Sequence, residues 1–231
     1  MSKKKGKNSN YSGKVDTKGL PYKKEAPKQT FFEKYKNYII YSVCGVLLLA
    51  LVLGIVLSAI PKKPVYVEMD FGSDYGKIVI EVDRNQAPKT ADNFISLVND
   101  GFYNGLTIFR AQKNFVIQGG KNDSVKLDPI KGEFESNGHK NNISHKRGVI
   151  SMARTSIPDS ATSQFFITLD DSAAYSLDGD YAGFGYVVEG MDVVDKIANA
   201  LFGHAVDSMG FVNDSNAIKI VSAKVLNSWE K

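Results

Sequence analysis

Hydrophobic residues follow three different patterns along this chain. From Tyr38 to Ile60 the run "YIIYSVCGVLLLALVLGIVLSAI" carries no charged side chain. A helix of that length, rising ~1.5 Å per residue, crosses the ~30 Å hydrocarbon layer of a membrane. The pattern predicts a transmembrane signal-anchor helix over 38–60. A cleaved signal peptide fits less well, because its apolar region spans ~7–15 residues behind a short charged segment, whereas more than thirty residues come first here. Those residues, 1–37, are rich in lysine, serine, asparagine and glycine. They bury too little apolar surface to offset the entropy of ordering and are expected to form a disordered tail.

After Pro61 and Pro64 the period becomes two. Val65, Val67, Met69 and Phe71 alternate with other residues, and so do Ile78, Ile80 and Val82 beyond the turn "GSDYG". This predicts two antiparallel strands. The segment "APKTADNFISLVNDGFY" then changes to helical spacing, with Ala91, Phe94, Ile95 and Val98 on one face, Pro88 near the start and Gly101 as a stop. Short apolar runs follow: "LTIFRA", "FVIQGG", "GVISMA", "SQFFITL", "GFGYVVEG" and "IKIVSAKVL", with a second helical pattern, "MDVVDKIANAL", before the last. Many short strands and two helices predict one mainly β domain over 61–231, a closed antiparallel barrel or a sandwich with helical caps.

Charge separates the two parts. Residues 1–63 hold 13 lysines against Asp16, Glu25 and Glu33, while the rest of the chain carries 16 basic and 22 acidic side chains. Eleven of those lysines precede the apolar run and only Lys62 and Lys63 follow it, which sets the N-terminus in the cytoplasm and the β domain outside the cell membrane. An acidic outer domain is the wrong sign for nucleic acid. Cys44 is the only cysteine, so no intramolecular disulfide forms. His139, His145 and His204 stand in polar segments without metal-ligand spacing and are expected at the surface, with no metal bound. "QGGKND" leads into polar loop rather than a helix, so it is no phosphate loop, and no cofactor pattern is present.

What remains is "FRAQKNFVIQGG", where one arginine and one glutamine sit in an apolar segment, together with "GVISMARTSIPDSATSQFFITL" and "SLDGDYAGFGYVVEGMDVVDKI". In this order and spacing the three blocks resemble the cyclophilin family of peptidyl-prolyl isomerases, and the resemblance extends from about Val65 to Leu226. It implies a closed eight-stranded antiparallel barrel capped by two α-helices, with an open groove outside it that takes proline-containing polypeptides. It implies Arg110 as the catalytic group, assisted by Gln118. Phe115, Val116, Phe166 and Leu177 would line the proline pocket, and Gln118, Gln164, Ala153 and the backbone near Arg154 would hold the flanking peptide. Phe165 should then point into the barrel, since strand neighbours face opposite ways.

Three positions depart from the family's usual residues: Phe109 and Tyr181 each stand where histidine is frequent, Tyr181 at the groove edge, and Ser176 stands where tryptophan is frequent. These changes bear on substrate preference and predict weakened binding of the cyclic peptide cyclosporin. The expected function is isomerisation of Xaa-Pro bonds during the folding of extracytoplasmic proteins. The alternative is a membrane-tethered module, or holdase, that binds proline peptides with little or no isomerase activity.

Overall fold

The computed structural model describes residues 28–58 and 60–229, which divide into two units, Met1–Ile60 and Pro61–Lys231. In the first unit, helix α1 runs from Phe31 to Ser58 and is, among the described residues, the one helix long and apolar enough to cross a membrane. Its start corrects the expected boundary at Tyr38. Thr30 and Glu33 have capping-box spacing, and the Glu33 N–H donates to Thr30 Oγ1 at 3.3 Å. Of the expected disordered tail, therefore, Phe31–Asn37 are helical, and residues 1–27 lie outside the described ones.

The second unit is built on one antiparallel sheet: β1 (Val65–Asp70), β2 (Lys77–Val82), β3 (Thr107–Gln112), β4 (Val116–Gly119), β5 (Val149–Met152), β6 (Phe165–Thr168), β7 (Ala182–Glu189), β8 (Ile218–Lys219) and β9 (Ser222–Leu226). Spatially the order is β8-β3-β4-β6-β5-β7-β2-β1-β9. Nine strands appear where eight were expected because the last run is divided. Only Ile220 and Val221 separate β8, which pairs with β3, from β9, which pairs with β1. The Ile220 N–H donates to Leu106 O at 2.8 Å and the Val221 N–H to Asp70 O at 2.7 Å, so one stretch of chain ties down both edges of the sheet. Gly185 lets β7 approach β2 closely; a Cβ there would collide with the Glu81 carbonyl.

Helices α2 (Pro88–Asn99) and α4 (Met191–Phe202) are the two expected ones, and a short α3 (Ala174–Leu177) is additional. Thr90, Ala91, Phe94, Leu97 and Val98 of α2 are buried. The buried stripe is centred on Phe94, with Ile95 partly buried against the core at its margin. Phe94 meets Phe184 at 5.0 Å, Tyr103 at 5.3 Å and Phe165 at 6.0 Å between ring centroids, the aromatic centre of the core.

The long polar segment between β4 and β5 supplies two buried polar side chains. Glu133 accepts from the N–H groups of Lys89 and Thr90 and from the Thr90 hydroxyl, so a distant carboxylate caps α2 where its own N-cap, Ala87, has no side-chain acceptor. A negative charge at that end also suits the helix dipole. His145 is 1% exposed, which corrects the surface position expected for it; His204 is exposed, and His139 is half-buried with Nε2 2.8 Å from Gln86 O. The His145 Nδ1 lies 2.8 Å from Asp178 Oδ1 and its Nε2 2.9 Å from Ser151 Oγ. Because an ionised carboxylate only accepts, Nδ1 carries the proton and Nε2 accepts from the serine.

Burial pulls the His145 pKa below its ordinary value, against the opposing pull of Asp178. Partial burial works to raise the Asp178 carboxyl, but hydrogen bonds from Ser144 and His145 overcome it and hold it low. A depressed histidine contributes stability that is complete above the unfolded pKa of ~6.5 and is lost as pH falls through the folded value. We therefore expect unfolding free energies, measured in denaturant at a series of pH values, to fall below about pH 6.5, and the gap between wild type and His145→Gln to narrow there. A gap independent of pH between 8 and 5 would show that His145 does not enter the fold as a buried neutral ring.

Candidate active site

Strand register carries the site. Arg110 on β3 is opposite Gln118 on β4, Gln118 is opposite Phe166 on β6, and Phe166 is opposite Ser151 on β5. Cross-strand neighbours share a face of a sheet, so one arginine, one amide and one aromatic ring form a row on its outer side. Phe165 is fully buried in the core while Phe166 belongs to a separate apolar cluster with Val116, Ala173 and Leu177, as strand alternation predicted. Phe115, Ala153 and Tyr181 pack against that cluster.

These side chains enclose a pocket of about 350 Å³. Arg110, Phe115, Val116, Gln118, Ala153, Arg154, Phe166, Leu177 and Tyr181 all line it. Gln164 lines an adjoining pocket of about 130 Å³, which shares Gln118, Ala153 and Arg154 with the first. All ten residues picked out in the sequence thus come together along one groove. Ser176 does not line either pocket; it is exposed, and its hydroxyl donates to Ala173 O at 3.2 Å.

The Arg110 guanidinium is held by three acceptors. Nη1 donates to Gln118 Oε1 at 2.8 Å, Nη2 to Gln112 Oε1 at 2.8 Å, and Nε to the Met209 carbonyl at 2.7 Å. Gln118 passes the chain on, its Nε2 donating to Gln164 Oε1 at 3.0 Å. Burial draws the arginine pKa below its ordinary value while Tyr181 and Asp207 act in the opposite sense; the group remains a cation, as arginine does in proteins. A guanidinium has five N–H bonds, so two are left for whatever occupies the pocket.

The floor and rim are aromatic. Phe166 meets Tyr181 edge-on at 5.5 Å, and behind it His145 stacks at 6.0 Å. The Arg154 side chain was expected to matter only through its backbone. It lies between the rings of Tyr181, 4.7 Å away, and Phe134, 4.9 Å away, and donates to the carbonyls of Asp180 and Thr155. Two residues of the larger pocket escaped the sequence reading, Met209 and Phe211, both in the loop-like segment "FGHAVDSMGFVNDSNA", as did Thr155, Ser160 and Thr162 of the adjoining one. The available signal was an apolar pair, Met209 and Phe211, flanking a glycine in an otherwise polar loop. Among the described residues no cluster of histidine, cysteine and carboxylate side chains could hold a metal ion.

Comparison with known proteins agrees with this geometry. The family described as cyclophilin type peptidyl-prolyl cis-trans isomerase/CLD matches residues 66–225. A peptidyl-prolyl cis-trans isomerase of Acinetobacter baylyi is 45% identical over 154 residues, 63% of this chain and 78% of that protein. Isomerase B of Escherichia coli is 40% identical over 147 residues, 58% and 86% of the two chains. A cyclophilin type isomerase of Cryptosporidium parvum, solved in the presence of the dipeptide Ala-Pro, superposes with a TM-score of 0.58 at 25% identity, over 71% of this chain and 99% of its own. A match over most of the Pro61–Lys231 unit, with the arginine, the amides and the aromatic floor in one groove, means that the chain belongs to the cyclophilin-type peptidyl-prolyl cis-trans isomerases.

Proposed function

We propose that the protein accelerates rotation about Xaa-Pro bonds of extracytoplasmic polypeptides in the groove between β3, β4 and β6, with Arg110 as the catalytic donor. The observation that carries this reading is the Arg110 guanidinium, fixed by three acceptors at an apolar pocket of about 350 Å³ with two N–H bonds uncommitted. The bond before proline turns slowly because amide resonance must be broken, a barrier of ~18–20 kcal/mol, although its two end states differ by only ~0.5–1 kcal/mol. In the twisted transition state the prolyl nitrogen regains a lone pair. A cationic donor aimed at that nitrogen prefers the twisted state to either planar one, and each ~1.4 kcal/mol of preference gives about a tenfold rate. No proton changes hands, so the site needs no acid–base pair.

In this reading Phe115, Val116, Phe166 and Leu177 hold the proline ring. Gln118 steadies the rotating carbonyl side, and Gln164, Ala153, Arg154 and Tyr181 hold the flanking residues. Taking β8 to β9 as one strand makes the sheet an eight-stranded barrel closed through Ile218–Leu226. Helix α1, whose leucines 47, 48, 49 and 51 are all exposed, serves as a single membrane anchor. The lysine excess before it keeps the N-terminus in the cytoplasm.

Arg110→Ala should lower kcat/KM on an Xaa-Pro test peptide by about a hundredfold to a thousandfold, the usual loss for a preorganised transition-state donor. Arg110→Lys should rescue little, since a point ammonium lacks the planar fork. Equal rates for wild type and Arg110→Ala, both verified as folded, would reject the mechanism. Peptide binding without acceleration in the wild type would leave only a binding module.

For topology, protease added to spheroplasts should remove the C-terminal domain and spare a tag placed before Phe31. Protection of that domain until lysis would reverse the orientation.

Cyclosporin should inhibit weakly, because the exposed Ser176 offers little area to an apolar ligand. An aromatic side chain buries ~1.5–3 kcal/mol of apolar contact, so Ser176→Trp should tighten inhibition by about tenfold to a hundredfold with little change in turnover. Tight inhibition of the natural protein, unimproved by Ser176→Trp, would sink that assignment.

A further inference from the structure

Met209 and Phe211 reach the pocket on a turn whose construction points to a specific task. Asp207 Oδ1 accepts from the N–H groups of both Met209 and Phe211, at 3.0 and 3.1 Å, and so closes the turn on itself. The turn then docks on β3. The Ala111 N–H donates to Gly210 O at 2.8 Å, the Val212 N–H donates to Phe109 O at 3.0 Å, and Arg110 and Phe211 form an isolated bridge. Gly210 has φ +83, and a Cβ there would collide with the Ala111 carbonyl, so the docked geometry requires glycine.

On β3 the register slips between Ile108 and Arg110: these two residues, two apart, pair with the adjacent Gly119 and Gln118. Phe109 is the extra residue of a bulge, a feature that re-aims side chains beside functional sites. The bulge explains how two consecutive strand residues meet the same ring. Phe109 stacks on Phe211 at 6.0 Å and 19°, and the Arg110 guanidinium lies 5.4 Å from the Phe211 centroid. The same turn supplies the Met209 carbonyl that accepts from Arg110 Nε.

We propose that Phe211, delivered by the Asp207–Phe211 turn and backed by Phe109, is a positioning residue that holds the Arg110 guanidinium in its productive orientation. The proposal rests on the reading of Arg110 as the catalytic donor. Without the ring the guanidinium keeps its three acceptors and loses the aromatic face that it lies against. The loss should therefore fall on the twisted transition state rather than on ground-state binding, which means on kcat rather than KM.

The experiment measures kcat and KM on an Xaa-Pro peptide for the full chain in detergent, carrying Phe211→Leu, Phe211→Tyr or Gly210→Ala, each with Arg110 present and with Arg110→Ala. Phe211→Leu should lower kcat by about threefold to thirtyfold, the range of a partly desolvated cation–π contact, with KM within about twofold. Phe211→Tyr keeps an aromatic face and should retain most activity. Gly210→Ala undocks the turn with the ring chemically intact, withdraws the Met209 carbonyl with it, and should lower kcat at least as much as Phe211→Leu, which guards against a folding artefact at position 211. In the Arg110→Ala background, none of the three should lower the rate further. A wild-type kcat for Phe211→Leu, an equal loss in both backgrounds, or a loss confined to KM would overturn the proposal while leaving the Arg110 mechanism standing. Full activity of Arg110→Ala alone would remove the mechanism and the proposal together.

Discussion

The structure depends on one constraint, that adjacent residues of a strand face opposite sides of a single sheet. Phe165 enters the aromatic core beside Phe94 and Tyr103, so Phe166 has to leave it and become the floor of the pocket. Ile117 is fully buried on the inner side, which turns Val116 and Gln118 outward. A slip of one residue in β4 or β6 would put the pocket inside and the core outside. The core therefore holds the groove in register, and core packing and site geometry are one property of the same strands.

The second requirement is to keep a guanidinium partly desolvated without losing it to a fixed counter-ion. A carboxylate bonded to Arg110 would neutralise the charge and occupy the N–H bonds that the proposed mechanism uses. Neutral acceptors from three separate segments, Gln112, Gln118 and the Met209 carbonyl, satisfy the group's geometry instead and leave its charge intact. Asp207 influences the arginine only from a distance, its carboxylate being engaged by the N–H groups of its own turn. In the proposed mechanism those preorganised neutral dipoles hold the cation ready for a substrate that never ionises.

Strand alternation and helical spacing made most of the fold legible, because those signals are local and repeat over several residues; the ten groove residues were legible only through the family resemblance, since periodicity alone does not tell Phe115 or Phe166 from barrel core. The misses share a different character. His145 stands in a polar segment and looks solvated, yet its surroundings are set by Asp178 and Ser151, one of them 33 residues away. Phe211 lies in a stretch without periodicity, and the nearby Met209 carbonyl meets an arginine 99 residues earlier in the chain. The start of α1 was legible in principle, through Thr30 and Glu33, but the eye follows hydropathy and the cap lies outside the apolar run. The division of the last strand left no local mark, since it depends on two edges that converge only in three dimensions.

That division has a consequence for how the chain reaches its native state. Strands β1 and β3 both wait for residues 218–226, so during synthesis two sheet edges stay open until late, separated from their partner by more than a hundred residues. Contacts of that span form slowly, and open edges invite pairing with other chains. The β unit is thus expected to fold slowly, with an interval in which both edges are exposed.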